Sequence, residues 1–268
     1  SFCTQTEGSN DFSFMYVGDV QDAVGGEINA SIHEALRRNG DVELFVCGGD
    51  LVERPSDIYW NEAFAELDGI RQSMPVLCVA GNHDYLKTLP DSTERRFPLV
   101  FSYFLDSHVG DNLVASFCYD NVEFFFLDTN RYIFNLYDQR KWLEKHLSES
   151  TAKWKVVVAH HPLYSLKKGN NLIQRWMFDD IIRQYGVNLV LQGHEHAYAR
   201  KSGKQGEPTY LVSHCSPKNY KIDIDGTYDV YETTDYYYQK VKVKGDSLFI
   251  LSYNGKTHQR NDSVAVGM

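Results

Sequence analysis

The sequence has no hydrophobic run long enough to cross a membrane as a helix. Such a span needs about 20 consecutive apolar residues, whereas the longest apolar stretches, such as VEFFFL at 122–127, have the length of a strand. Positive charge is also scarce, because 36 acidic residues against 27 basic ones give a formal net charge of −9. Proteins that bind the nucleic-acid backbone are usually basic, so we do not expect that partner. A small anionic substrate stays compatible with this charge, because bound metal ions can reverse the local field.

Cysteines are few and form no recognisable pattern. There are five, an odd number, without a CxxC pair. Cys47 and Cys78 lie inside apolar, strand-like runs, where a small buried thiol is the ordinary interpretation. We therefore expect neither a disulfide framework nor a zinc-finger type of site.

What the sequence does contain is an alternation of short apolar runs with segments of helical periodicity. The runs are rich in β-branched and aromatic residues, which predicts strands, and they span 12–17, 42–47, 75–80, 122–127, 154–159 and 188–192. Helical periodicity is found between several of them, over 27–38, 58–71, 138–148 and 172–185. This alternation predicts an α/β fold. After about residue 208 strand-like segments follow one another without helices, so we expect a β-rich C-terminal part.

Each predicted strand is followed at once by a polar residue that can bind metal or transfer protons. In chain order these are Asp19, Asp50, Asn82 with His83, Asp128, His160, and His194 with His196. Ligands of α/β sheets bind outside the carboxyl ends of the strands, so we expect these side chains to converge. Any one of them has an ordinary structural explanation, since Asp and Asn favour turns, but chance does not readily place the whole set. Asp128 is interpreted as a supporting residue rather than a direct ligand.

The last two histidines are separated by one residue. In extended backbone, positions i and i+2 point to the same side. We therefore expect His194 and His196 to project together from the end of the strand predicted at 188–192.

Carboxylates, imidazoles and an amide oxygen suit zinc, manganese or iron. The set is too large for one tetrahedral ion, but it suits two ions about 3.5–4 Å apart that share a carboxylate. Such a pair can clamp an anionic phosphoryl group and acidify a bridging water molecule.

The ordered blocks GDVQ, GDLVE, GNHD, AHH and GHEHAYAR, spread over roughly 13–200, resemble the calcineurin-like metallophosphoesterase superfamily. The blocks GHEHAYAR and LDT are especially similar to those of purple acid phosphatase-like members. The resemblance implies a four-layer α/β/β/α sandwich of two mixed sheets flanked by helices, with residues 11–268 as the catalytic domain. It also implies hydrolysis of small phosphomonoesters by a metal-bound hydroxide at a dinuclear centre.

Carried over position by position, the resemblance assigns one metal ion to Asp19, Gln21, Asp50 and His196. Asp50 would bridge to a second ion, which is completed by Asn82, His160 and His194. His83 matches the catalytic histidine of the family, and Asp84 is expected to orient it. The remaining candidates are substrate contacts, namely Arg54, His161 and Tyr85.

The sequence departs from the family pattern at two positions. Glu53 stands three residues after the bridging Asp50, where purple acid phosphatases carry a metal-binding tyrosine. Gln21 stands where many members of the superfamily have histidine. Because an amide oxygen is a harder ligand than imidazole, we expect two ions of iron, manganese or zinc, with manganese or iron favoured over zinc.

Residues 1–21 resemble the junction at which an N-terminal fibronectin-like domain enters the catalytic domain of bacterial purple acid phosphatase-like proteins. Within them, residues 1–10 are interpreted as a linker and strand remnant of such a domain. Proteins of that build are usually exported, so we expect a bacterial protein of the periplasm or cell surface, or a secreted one.

Two alternatives stay open from the sequence. A phosphodiesterase or nucleotide pyrophosphatase would use the same metals, because the choice depends on the loops that form the pocket walls. A protein of another class, a catalytically inactive scaffold, would keep the fold alone.

Overall fold

The computed structural model describes residues 11–85, 109, 113–167, 169–223 and 226–267, so the predicted linker at 1–10 lies outside the described residues. The strands are β1 (Phe12–Val17), β2 (Leu44–Cys47), β3 (Val76–Cys78), β4 (Ala115–Tyr119), β5 (Val122–Leu127), β6 (Trp154–Ala159), β7 (Leu189–Gln192), β8 (Tyr198–Lys201), β9 (Thr209–Val212), β10 (Val230–Glu232), β11 (Tyr237–Lys244), β12 (Ser247–Asn254) and β13 (Arg260–Gly267). The helices are α1 (Ile28–Arg38), α2 (Asp57–Arg71), α3 (Ile133–Glu149) and α4 (Leu172–Gln184).

The strands form two mixed sheets. The first has the order β13-β12-β11-β1-β2-β3, and the second has the order β10-β8-β9-β7-β6-β5-β4. In the first sheet β1, β2 and β3 run parallel, whereas β11 to β13 are antiparallel additions. In the second sheet the parallel strands are β5, β6, β7 and β9. The parallel strands in each sheet bring their carboxyl ends to one edge.

Strand periodicity separates the two faces of the second sheet. Phe124 and Phe126 of β5 belong to the core between the sheets, where the rings of Phe14 and Phe124 meet edge to face at 5.2 Å. Phe125 and Leu127 point the other way and pack with buried residues of α3 and α4. Helices α1 and α2 pack against the first sheet. These layers confirm the predicted α/β/β/α sandwich.

The six predicted strands correspond to β1, β2, β3, β5, β6 and β7, and the four predicted helices are present. Helix α3 begins at Ile133, five residues before its predicted start. Strands β4, β8, β10 and β13 were not predicted. Within the described part of the chain, no helix has the length and apolar character needed to span a membrane. The four cysteines in that part are free thiols.

Candidate metal centre

The predicted ligands follow strands of both sheets, and four of them have an unusual backbone. Asp19, Asp50, His194 and His196 have φ angles of 46°, 52°, 72° and 46°. This left-handed conformation costs on the order of 1–3 kcal/mol for a residue other than glycine, and it persists only where surrounding contacts enforce it. Four of the seven non-glycine residues with positive φ in the described part of the chain therefore lie at predicted ligand positions.

Two glycines allow the backbone to approach the carboxylates closely. A Cβ atom on Gly193 would lie 2.3 Å from Oδ2 of Asp19, and one on Gly81 would lie 2.1 Å from Oδ1 of Asp50. No side chain can be accommodated at such distances. The glycines that precede His194 and Asn82 are therefore required by the packing around the site.

Asp19 presents one oxygen to the site. Its Oδ2 accepts a hydrogen bond of 2.6 Å from the backbone N–H of His194. Its Oδ1 is buried, lies 3.6 Å from Nε2 of His196, and has no hydrogen-bond partner among the described residues. Oε1 of the buried Gln21 is unpartnered there as well. Ligand atoms of Asp19, Asp50 and His196 all lie within 4.8 Å of one another, which is close enough to hold a cation.

A second group of donors adjoins the first. Oδ1 of Asn82 lies 3.0 Å from Nε2 of His160 and 2.7 Å from Nδ1 of His194. Nε2 of His160 is also 3.4 Å from Oδ2 of Asp50. On its other side, the His160 ring donates from Nδ1 to the Gly48 carbonyl at 2.9 Å, so Nε2 is the nitrogen left for the site. Outer hydrogen bonds of this kind fix the orientation of metal-binding imidazoles.

Asp50 belongs to both groups of donors. Its Oδ1 accepts the backbone N–H of His83 at 2.7 Å, while its Oδ2 faces His160. The two groups thus present oxygen and nitrogen donors on both sides of Asp50. This donor chemistry, together with the orphaned buried oxygens of Asp19 and Gln21, fits the metal ions that the sequence predicts.

The titration of the site follows from burial and charge. Burial alone would raise the pKa of Asp50, but His160 holds that pKa well below its usual value. Burial alone would lower the pKa of His160, yet Asp50 raises it to about 10. Burial lowers the pKa of His194 to about 3 and that of His196 to about 4. Near pH 7 these two imidazoles are therefore neutral, which is the form that binds metal.

The structure gives His83 a different orienting partner from the predicted one. Nδ1 of His83 lies 2.8 Å from the backbone carbonyl of Glu53, which accepts its proton. Asp84 is buried, and its carboxylate accepts the backbone N–H groups of Leu51 at 2.9 Å and Gly81 at 2.7 Å. The prediction that Asp84 orients the His83 ring is corrected accordingly, because Nδ1 is already taken by Glu53. Asp84 instead joins the loop after β2 to the loop after β3.

The predicted substrate contacts have different surroundings. His161 is half-buried, with its ring 4.3 Å from that of His194 and its Nδ1 2.9 Å from Oγ1 of Thr129. Burial keeps the pKa of His161 well below its usual value. The side chain of Arg54 is exposed and makes no hydrogen bond or ion pair with another described residue. Its backbone carbonyl accepts the N–H of Ser56 at 2.8 Å.

The third predicted contact, Tyr85, is tied to Asp128. The Tyr85 hydroxyl donates to Oδ2 of Asp128 at 2.5 Å, and the Arg131 guanidinium lies 5.5 Å above the Tyr85 ring. Nε of Arg131 reaches the same carboxylate oxygen at 3.0 Å. Asp128 therefore makes supporting contacts at the strand end, and the hydroxyl of Tyr85 is engaged by the protein itself.

Several residues beside the site were not found from the sequence. The buried Glu195 accepts from Ser165 and Leu166, so it anchors the loop after β6. The His196 ring stacks on Tyr220 at 4.3 Å and on the buried His214 at 5.6 Å. No spacing in the sequence indicates His214 and Tyr220, because they come from a loop after β9 that only the tertiary fold brings to His196.

Strand ends that gather carboxylates, imidazoles and an amide into two adjoining groups of donors are typical of a metallophosphoesterase type of domain. Residues 12–198 match the family model of the calcineurin-like phosphoesterases, and the chain belongs to this family.

Similar proteins include several plant phosphatases. Purple acid phosphatase 17 of Arabidopsis thaliana is 24% identical over 269 residues, covering 84% of this chain and 74% of that protein. The Fe(3+)-Zn(2+) purple acid phosphatase 12 of the same plant is 27% identical over 209 residues, covering 70% of this chain and 43% of that protein. The match thus spans less than half of the length of some of these relatives.

Solved structures share the fold at lower identity. A purple acid phosphatase from yellow lupin seeds has a TM-score of 0.75 at 16% identity. The match covers 97% of this chain and 54% of the lupin chain. GAP50, the anchor in the inner membrane complex of Plasmodium, has a TM-score of 0.74 at 15% identity. The match covers 97% of this chain and 90% of the GAP50 chain. One fold therefore serves a phosphatase and an anchor, so the function of this chain must be argued from its site.

Proposed function

We propose that this chain is a metal-dependent phosphoesterase that hydrolyses small phosphomonoesters at a two-cation centre. One observation carries the proposal. The Asp50 carboxylate is common to two groups of donors, one with Asp19 and His196 and the other with Asn82 and His160. When bound, iron, manganese or zinc ions would supply positive charge for a phosphoryl group and lower the pKa of a coordinated water molecule.

The chain's own residues account for the rest of the reaction. Asp19 is held by the backbone N–H of His194, and Asp50 by that of His83, so both carboxylates are fixed before substrate arrives. His83 donates from Nδ1 to the Glu53 carbonyl, which leaves Nε2 for the substrate. In its doubly protonated form this imidazole can give the Nε2 proton to the departing alcohol oxygen.

The same site supports an enzyme over an anchor. A protein that keeps the fold only as a scaffold has no need for strained backbone at four ligand positions, nor for unpartnered buried oxygens on Asp19 and Gln21. Backbone strain and unpartnered polar atoms each cost free energy. Metal-dependent catalysis explains both, because the strained residues and the unpartnered oxygens would bind the metal ions.

The direct test measures metal content and hydrolysis together. The chain is loaded separately with manganese, iron and zinc, the bound ions are counted, and turnover of p-nitrophenyl phosphate is compared with that of bis(p-nitrophenyl) phosphate. Two ions per chain and preferential monoester hydrolysis support the proposal. Preferential diester hydrolysis replaces it with a phosphodiesterase, and two bound ions without hydrolysis of either ester replaces it with a scaffold.

Export to the periplasm or cell surface is proposed on the resemblance of residues 1–21 alone. Fractionation of cells that express the natural gene product tests it, and recovery in the cytosolic fraction would contradict it.

A further inference from the structure

Two imidazoles on opposite flanks of the site are oriented in the same way. Nδ1 of His83 lies 2.8 Å from the backbone carbonyl of Glu53, and Nδ1 of His196 lies 2.9 Å from the backbone carbonyl of Lys218. A carbonyl only accepts, so Nδ1 carries the proton in both rings and Nε2 is left for the chemistry. For His196, Nε2 is the nitrogen that lies 3.6 Å from Asp19.

The two residues that provide these carbonyls are joined to each other by their side chains. The Lys218 ammonium forms an ion pair with Oε1 of Glu53, and Oε2 of Glu53 lies 3.5 Å from Nε2 of Gln21. Glu53 follows β2 in the first sheet, whereas Lys218 follows β9 in the second. The ion pair therefore connects loops of different sheets across the mouth of the site.

We propose that the Glu53–Lys218 ion pair is a positioning device that sets the orientation of His83 and His196 together. By holding the two loops at a fixed separation, it fixes the two carbonyls and therefore the direction of both Nε2 atoms. This inference rests on the proposed function for the role of His83, but the geometry at His196 does not depend on it. It also gives a role to the glutamate at position 53, where purple acid phosphatases carry a tyrosine.

The competing explanation is an ordinary surface ion pair. The side chains are 42% exposed for Lys218 and 20% exposed for Glu53, and pairs of this kind contribute only about 0–1 kcal/mol to stability. The two explanations differ in what they predict. An ordinary pair leaves the imidazoles unchanged when it is removed, whereas a positioning pair changes their hydrogen bonds with little change in the stability of the fold.

The test removes the ion pair while keeping both carbonyls, which belong to the backbone. Lys218→Met and Glu53→Gln each remove one charge, and the double variant Glu53→Lys with Lys218→Glu restores the pair in reverse. Lys256→Met is the matched control, because Lys256 forms a comparable ion pair with Asp235 at side-chain exposures of 56% and 29%.

Three quantities are measured: the Nδ1–H signals of His83 and His196 in histidine-labelled protein by NMR, the affinity for manganese, and kcat and KM for p-nitrophenyl phosphate. For Lys218→Met we expect both Nδ1–H signals to shift or broaden. Manganese affinity should fall about tenfold, the scale on which outer hydrogen bonds tune metal sites. The value of kcat should fall by a similar factor, with KM within about twofold. The reversed pair should recover most of each loss, and Lys256→Met should change none of them.

Unchanged Nδ1–H signals and manganese affinity in Lys218→Met would overturn the inference, as would a reversed pair that recovers nothing. If the wild-type chain hydrolyses no phosphate ester, the proposed function fails, but the NMR signals and the manganese affinity still decide the question for His196. The two failures are therefore distinguishable.

Discussion

The side-chain oxygen of Asn82 lies 2.7 Å from Nδ1 of His194, although the two residues come from different sheets. Asn82 follows β3, the edge strand of the first sheet, and His194 follows β7 in the interior of the second. The donors of the candidate centre therefore come together only when the two sheets are packed. A ligand that binds the native arrangement and not the unfolded chain must stabilise that packing.

Metal removal should lower the thermal stability of the chain. At a free ion concentration of 100 times Kd, binding stabilises the native state by about 2.7 kcal/mol, which corresponds to roughly 5–10 °C for a chain of this size. Differential scanning fluorimetry of manganese-loaded protein before and after chelation measures the shift. Magnesium at the same concentration is the control ion, and equal melting temperatures in all three samples would contradict binding at this site.

Asp50→Asn should abolish both metal retention and hydrolysis. The substitution keeps the shape of the side chain and one oxygen, but it removes the negative charge that both groups of donors share. We expect fewer than one ion per chain and a fall in kcat/KM for p-nitrophenyl phosphate of at least about 10²–10³-fold, the scale of losing a principal electrostatic group. Asp246→Asn, at an exposed ion pair with Lys153, is the matched control. Two retained ions with near wild-type turnover in Asp50→Asn would disprove the bridging role.

His83→Ala should retain the metal ions and lose rate. The ring contributes to the site through Nε2, whereas its backbone N–H, which holds Asp50, is unchanged by the substitution. General acid catalysis supplies about 10²–10⁴-fold, so kcat should fall within that range while the metal count stays at the wild-type value. A wild-type kcat in this variant would remove His83 from the mechanism, and a lost metal ion would assign it to binding.

Asp84→Asn should act mainly on stability. The carboxylate accepts backbone N–H groups of Leu51, Val52 and Gly81, and an amide would turn an N–H group toward one of these donors. We expect the free energy of unfolding to fall by about 1–3 kcal/mol, the cost of leaving a buried hydrogen-bonding group without its partner. Urea denaturation measures the loss. A stable variant whose pH–rate profile is shifted would instead return Asp84 to its predicted role beside His83.

The fold and the strand-end residues could be predicted because they leave local signals in the sequence. A run such as 122–127 is apolar on both faces of its strand, and Asp128 or His160 directly follows such a run. The backbone at the two separated histidines was predicted less well. β7 ends at Gln192, and both His194 and His196 have positive φ. The two rings therefore reach the site from a strained loop, not by strand alternation.

The orienting contacts could not be predicted, for a different physical reason. The partners of His83 and His196 are backbone carbonyls of Glu53 and Lys218, and every residue carries a carbonyl, so residue type gives no signal. Lys218 is also 22 residues from His196 in the chain. Such contacts depend on how loops of two sheets meet, which only the tertiary structure shows.

Metal binding should become tighter as the pH rises. Asp50 raises the pKa of His160 to about 10, against an ordinary value of 6.5. At pH 6–8 this imidazole is therefore doubly protonated, with one proton on Nδ1 and a second on Nε2. A metal ion that binds Nε2 must displace the second proton. With one proton released, the affinity for manganese should rise about tenfold per pH unit over this range and level off above pH 10. In the metal-free protein, the pairing of protonated His160 with Asp50 adds to the free energy of unfolding. This contribution is fully present below pH 6.5 and is lost as the pH rises toward 10. Isothermal titration calorimetry in buffers of different ionisation enthalpy counts the protons released. An affinity that does not change between pH 6 and 8 would show that His160 is not protonated beside Asp50 or does not bind the ion.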